Sequence, residues 1–268
     1  MLEVLEFAFF QNALLAGMLA SIACGIIGTY VVVKRMVFIA GGISHASFGG
    51  IGLGYYFGID PILGAFGFTL AAALGMGAVR LSAKQRMDTL IGTVWAAGMA
   101  VGILFVYLTP GFAPDLFSYL FGNILLVPAG DLWLMGGLVV VTVGLVMLFY
   151  NEFLAVTFDE EYATIMNLPV RAFYLLLLAL VACTVVMLIR VVGIILVIAL
   201  LTLPPATSAE FTARLRPMML LSVVLGILYT TGGIWLSYLL DVPSGATIIL
   251  IGTAGYAGAV AVRVWNGR

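Results

Sequence analysis

The stretch FIAGGISHASFGG, Phe38 to Gly50, holds the only histidine in a chain of 268 residues. It follows directly on Lys34 and Arg35, and no charged side chain appears between Met36 and Phe57. An apolar run of that length, about 20 residues, can cross the hydrocarbon core of a bilayer as a helix. An ionisable residue inside such a helix is costly, which makes His45 a candidate functional residue. The other reading of His45 is a helix-packing histidine bonded to a backbone carbonyl.

The rest of the chain resembles this stretch. Hydrophobic residues make up 64% of it and charged residues 9%, with a mean hydropathy of +1.24, whereas soluble domains carry about 25% charged residues. Nearly every apolar run approaches spanning length, so residues 1–268 read as one polytopic transmembrane domain with little left for a soluble one. The opening MLEVLEFAFF carries Glu3 and Glu6, no basic residue and no small-residue cleavage site, so the first helix is expected to stay. Cys24 and Cys183 sit inside apolar runs without CxxC or Cys/His spacing, where a thiol acts as a small hydrophobe.

Hydropathy and charge breaks place helices near Phe7 to Val33, Val37 to Phe57, Ile62 to Val79, Leu90 to Leu108 and Leu132 to Tyr150. After a polar segment come Ala172 to Ile189, Val191 to Thr207, Met218 to Leu240 and Ala246 to Val262. The expected fold is all-α, with eight or nine transmembrane helices. The run LFSYLFGNILLV, Leu116 to Val127, lies between Pro114 and Pro128 and is too short to span, which suits a re-entrant or interfacial element.

Alternating the nine spans collects Lys34, Arg35, Arg80, Lys84, Arg86, Arg171, Arg214, Arg216, Arg263 and Arg268 on one side. By the positive-inside rule that side, with the C-terminus, is cytoplasmic. The other side holds Asp60, Asp115, Asp131 and Asp241, with Arg190 as its one cation. Carboxylates around a low-dielectric opening concentrate cations, although the same residues also serve as ordinary solubilising loops.

The longest polar interruption, about residues 151–171, reads NEFLAVTFDEEYATIMNLPVR. Thr157 and Glu160 have capping-box spacing, and Asp159, Glu160 and Glu161 put negative charge at the positive end of a helix dipole. Asn167 tolerates a left-handed backbone and Pro169 stops continuation, so a short cytoplasmic helix is expected. It is either a docking handle for another protein or a solvated connection.

Four segments in order, KRMVFIAGGISHASFGGIGLG, FDEEYATIMNLPVRAF, IRVVGIILVIALLTLPPATSA and SYLLDVPSGATIILIG, resemble the membrane permeases of the zinc and manganese ATP-binding-cassette importers. The resemblance runs from about Ala16 to Val260. It implies a homodimeric permease in the cell membrane that moves zinc, manganese or iron along a path near the dimer axis. It also implies a separate cytoplasmic ATPase, an extracytoplasmic metal-binding protein, membrane lipid around the helices and no nucleic-acid partner. The metal is then cargo, no cofactor is held permanently, and ATP is used by the partner subunit. The chain itself has no GxxxxGK[ST] loop and is not expected to be an enzyme. The coupling segment of the family, close to E-x-A-x-x-x-G, corresponds here to Glu161, Ala163 and Asn167, with Asp159 and Glu160 beside them.

The resemblance also exposes a departure. Where the family commonly reads G-D-A-L-S-H, this chain has Ala40, Gly41, Gly42, Ile43, Ser44 and His45, so the carboxylate one turn before the histidine is missing. Asp241, in LLDVPSG, is the best remaining carboxylate, with Asp115 at the rim and Ser44 beside His45. The reading is a sparse, transient cation site bordered by His45 and Asp241, because a closed cage would hold zinc too tightly to release it. Asp241 could equally be a helix-end cap before Pro243.

Gly41, Gly42, Gly50 and Gly54 strip bulk from the histidine helix, and the last two have GxxxG spacing, which favours close helix packing. Pro204 and Pro205 are expected to break the hydrogen-bond ladder of their helix and kink it. Arg190 is expected to cap a helix or pair with an acidic group such as Asp115 or Asp241, and the sequence offers no way to choose. A stand-alone channel or ion-coupled carrier would use the same acidic mouth and histidine but would not need the coupling segment. A hydrolase built on Ser44 and His45 is disfavoured, since neighbouring residues on a helix point in different directions.

Overall fold

The computed structural model describes residues 6–82, 87–111 and 117–267. The described residues form eleven α-helices, of which eight are long and apolar enough to cross a membrane. The spanning helices are α1 (Ala8–Val33), α2 (Val37–Phe57), α3 (Pro61–Ser82), α4 (Met87–Leu108), α6 (Ala129–Leu148), α9 (Val170–Ala209), α10 (Leu215–Leu240) and α11 (Ser244–Trp265). Short helices α5 (Phe117–Phe121), α7 (Tyr150–Phe158) and α8 (Glu160–Ile165) lie between them. Large apolar side chains such as Trp133, Leu134, Val140 and Leu250 are exposed, as lipid-facing residues must be.

The sequence count of nine spans and the eight long helices describe the same chain. Helix α9 has 40 residues, about 60 Å at the helical rise, roughly twice a hydrocarbon core. Its one non-helical residue is Gly193, at φ 75° and ψ 162°, a conformation essentially reserved for glycine. Pro204 and Pro205 keep helical dihedrals, so the break expected at the prolines falls at Gly193 instead. Proline does remove two donors there, and the Leu201 carbonyl that Pro205 cannot bond lies against Gly28 of α1.

By packing, the chain divides into two compact units, one of Met1–Val33, Phe117–Met147 and Met187–Arg268, the other of Lys34–Leu116 and Leu148–Val186. In the first unit α1 and α10 run antiparallel, with Gly17 against Thr230, Gly25 against Val223 and Gly226 against Ser21. Hydroxyls line this contact. Ser21 meets Thr230 at 3.3 Å, Thr29 meets Ser222 at 3.3 Å, and Ser222 meets Ser208 of α9 at 2.7 Å. Ser21, Thr29, Ser222 and Thr230 each also donate to a carbonyl one turn earlier in their own helix, so no donor is stranded in hydrocarbon.

The run expected to be re-entrant is short in the structure as well. Helix α5 ends at Gly122 (φ 61°), and Asn123 caps a 3₁₀ turn over Ile124–Leu126 by accepting from the Leu125 amide at 3.1 Å. Gly122 and Gly193 touch backbone to backbone, and Asn12 of α1 donates to the Val127 carbonyl at 3.2 Å. Ile124 and Val127 are the buried anchors of this irregular stretch, while Phe121 and Leu126 are exposed.

The second unit is built round α2. Gly50 lies against the Gly64 backbone and Gly54 against Pro61, both in α3; Gly49 and Gly52 lie against Gly98 and Gly102 of α4, and Gly42 against Ile91. Phe173 of α9 packs edge-on against Phe149 and Phe153 at 5.5 and 5.6 Å, fixing α7 to the start of α9.

A Cβ on Gly102 would collide with the Phe48 carbonyl, whereas one on Gly67 of α3 meets nothing within 4 Å. Gly102→Ala is therefore expected to lower stability in detergent by about 1–3 kcal/mol through overpacking. Gly67→Ala should be neutral or stabilising by up to about 1 kcal/mol. Thermal unfolding of the two variants side by side checks this.

Candidate translocation site and coupling helix

His45 stands midway along α2, half-buried, facing α4. Its imidazole stacks on the indole of Trp95, with centroids 4.0 Å apart and planes 13° from parallel. The Nδ1 atom is buried without a hydrogen-bond partner, so the backbone carbonyl expected of a packing histidine is not there. Trp95 was not singled out by sequence reading. An aromatic residue in an apolar span carries no signal until a neighbouring helix gives it a partner.

Gly41 lies one turn before His45, and a Cβ built on it would meet Trp95 Cζ3 at 3.7 Å. That is ordinary contact, so the indole edge occupies the direction in which any longer side chain at 41 would grow. Ser44 is fully buried and donates to the Ala40 carbonyl at 2.8 Å, which turns its hydroxyl back onto its own helix. Ser47 likewise donates to Ser44.

Asp241 belongs to the other unit. It is the C-cap of α10, at φ 52° and ψ 48°, with its amide bonded to Ser237, so the helix-end reading of this residue describes its backbone. Its exposed side chain lines a cavity of about 550 Å³ with Phe121, Asn123, Leu196 and Pro243. Asp115 lies outside the described residues. Among the described residues no group of three or more His, Cys, Asp or Glu is placed to hold a metal ion. Cys24 and Cys183 are free.

Arg190 pairs with Asp131, at the start of α6, at 3.2 Å, and among the described carboxylates not with Asp241. The sequence could not choose among these carboxylates because the pairing depends on where α6 begins beside the Gly193 break.

The polar segment folds as α7 and α8. The cap expected at Thr157 is supplied by Asp159, whose carboxylate accepts from the Tyr162 amide at 2.8 Å, while the Thr157 hydroxyl is buried without a partner. At the other end Asn167 is left-handed at φ 57°. Its amide bonds the Thr164 carbonyl and the next amide, Leu168, bonds Ala163, both at 3.0 Å, which is a complete Schellman motif. Asparagine is the residue after glycine that best tolerates this backbone, which explains why it can stand at the glycine place of the family pattern.

Glu160 does not project freely. Its carboxylate bonds Lys34 at 2.9 Å and lies 3.5 Å from Arg80, whose guanidinium sits over the Tyr174 ring at 4.4 Å. Lys34 also donates to the Val156 carbonyl. With its side chain only 4% exposed, burial pushes the Lys34 ammonium below its ordinary pKa, and the Glu160 carboxylate pulls it back. The outward face of α8 is left to Glu161, Tyr162, Ile165 and Met166, all exposed, while Ala163 is fully buried beneath them.

With eight membrane-length helices, an irregular short stretch between α4 and α6 and a capped short helix between α6 and α9, the chain has the architecture of a polytopic permease. It belongs to the ABC 3 transport family, whose model matches residues 6–263. It is 42% identical over 255 residues, 93% of this chain and 87% of the relative, to a protein of Chlamydia pneumoniae named a probable metal transport system membrane protein. Identity to the manganese transport system membrane protein MntC of Listeria monocytogenes is 34% over 250 residues, 93% and 89% of the two chains. The fold is similar to a chain of PsaBC from Streptococcus pneumoniae in complex with Fab, with TM-score 0.86 at 30% identity, over 96% of this chain and 92% of that one.

Two outcomes check the geometry of the coupling segment. Asn167→Gly should leave proteolytic resistance of residues 150–170 unchanged, while Asn167→Val should lower local stability by about 1–2 kcal/mol, because a branched residue is forced left-handed. Glu160→Gln should lower the thermal midpoint by stranding the Lys34 charge, and Lys34→Met in the same chain should restore most of it.

Proposed function

We propose that this chain is the permease subunit of an ATP-binding-cassette importer that carries a divalent transition metal ion into the cytoplasm. It works as one transmembrane domain, paired with a second copy, in the cell membrane with its C-terminus inside. A separate cytoplasmic subunit hydrolyses ATP and an extracytoplasmic binding protein hands over the ion. The observation that carries this reading is α8. A short helix fixed at both ends by its own caps turns Glu161, Tyr162, Ile165 and Met166 outward, a mixed acidic and apolar face suited to a cleft on another protein. A self-contained channel or carrier has no use for such a face. The names of the relatives support metal, and manganese among metals, as the cargo.

In this reading Asp159 and Ala163 build the coupling helix and Glu161 meets the ATPase. Asn167 closes the helix, and Glu160 ties it to the inner ends of α2 and α3. His45 and Asp241 are residues of the ion path, with Asp115 at its outer rim. Neutral nitrogen and carboxylate oxygen are suitable donors for manganese, iron or zinc, and few ligands at a time allow release. The chain contributes position and ligands and no bond-breaking chemistry of its own.

The test is uptake of manganese or zinc into vesicles holding the permease with its ATPase. Vanadate-sensitive uptake that falls at least tenfold in His45→Ala and in Asp241→Ala, at normal expression, is the expected result. Normal uptake in both variants would remove these residues from the path, and uptake that persists without ATP would make the chain a carrier.

A further inference from the structure

Histidines that bind metal usually have their second ring nitrogen held by a hydrogen bond, which sets the tautomer and the plane of the ring. His45 has no such bond, since its Nδ1 is buried and unpartnered. What its ring does have is the indole of Trp95, parallel to within 13° and 4.0 Å away. That indole takes its place from the packing of α4 on α2. It projects from α4 one turn beyond Ile91, which fills the notch at Gly42, and one turn before Gly98, which lies against the backbone of Ala46. Gly41 leaves the space into which the edge of the indole reaches, 3.7 Å from a Cβ position.

A stacked partner covers one face of an imidazole and leaves its plane open. Metal ligation by histidine uses an in-plane lone pair, so stacking restrains the ring without competing for the donor atom. We infer that Trp95 is the positioning residue of His45: it holds the imidazole in the orientation that offers a ring nitrogen to the passing metal ion, a task done elsewhere by a hydrogen bond. The inference rests on the proposed metal path, and it adds a residue and a mode of support to it. Removing a supporting partner of a ligand histidine typically weakens metal binding about 10- to 100-fold. The effect should therefore appear in the apparent KM for the ion, while the maximal rate, set by the ATPase cycle, is retained.

The experiment uses the full chain with its ATPase in nanodiscs and vesicles. Trp133, Trp235 and Trp265 are changed to Phe, so that Trp95 is the sole indole among the four tryptophans. Mn²⁺ and Co²⁺, both paramagnetic quenchers, are then titrated. Saturable quenching of Trp95 emission that disappears in His45→Ala is expected. In transport, Trp95→Leu should raise the KM for Mn²⁺ about tenfold at an unchanged maximal rate, and Trp95→Phe, which can still stack, should restore most of it. Normal transport in the single-tryptophan protein without metal-dependent quenching would overturn the role of Trp95 and leave the permease reading intact. An unchanged KM in Trp95→Leu would overturn it too. Absence of any ATP-driven metal uptake by the unmodified chain would sink the function on which the inference rests. If Trp95→Leu fails to fold, the quenching result and the Phe variant decide.

Discussion

Glycine at the helix crossings governs how this chain packs, because lipid is as apolar as the side chains and supplies no hydrophobic drive between helices. What remains is van der Waals contact, which grows with proximity, and proximity is limited by Cβ atoms. Around α2 the limit is lifted repeatedly: Gly49, Gly50, Gly52 and Gly54 meet the backbones or rings of α3 and α4, and Gly64, Gly98 and Gly102 answer from the other side. In the other unit Gly17, Gly25 and Gly28 do the same for α1, and buried hydroxyls meet at 3.3 Å where the helices touch. A carbonyl freed by Pro205 is accommodated there because Gly28 leaves it room.

Site chemistry follows from that packing. When two helices approach at backbone distance, the side chains flanking the contact are forced into one another, and His45 and Trp95 are such a pair on α2 and α4. Among the described residues no group bonds the buried Nδ1 of His45, and the contact its ring does make is with the face of the Trp95 indole. Gly41, which looked from sequence like a lost ligand, lies at ordinary contact distance from the indole edge, 3.7 Å from the position a Cβ would take.

Beside α8 packing gives way to charge. Lys34 follows the last turn of α1, Arg80 ends α3, and Glu160 opens α8, so a single carboxylate gathers two cations that would otherwise face a low dielectric alone. Helix α8 is therefore held to its unit by charge and caps, with Tyr162, Ile165 and Met166 left exposed. A helix of six residues could not persist without such supports.

Hydropathy alone set the class of fold and nearly every spanning helix, since a bilayer leaves no alternative to helices for a chain of this composition. Val37 to Phe57 was legible to the residue, and so was the short non-spanning run after Pro114. Local chemistry also made Asn167 readable as a left-handed cap, because that preference resides in one residue. The sequence did not reveal partners. Asp131 for Arg190, Glu160 for Lys34, Gly193 rather than the prolines as the break, and Trp95 for His45 were all decided by tertiary structure. Each depends on the rotation and register of one element against another. Periodicity determines that a helix forms and how long it runs; contact between backbones, set by where glycines happen to face, determines which side chains meet.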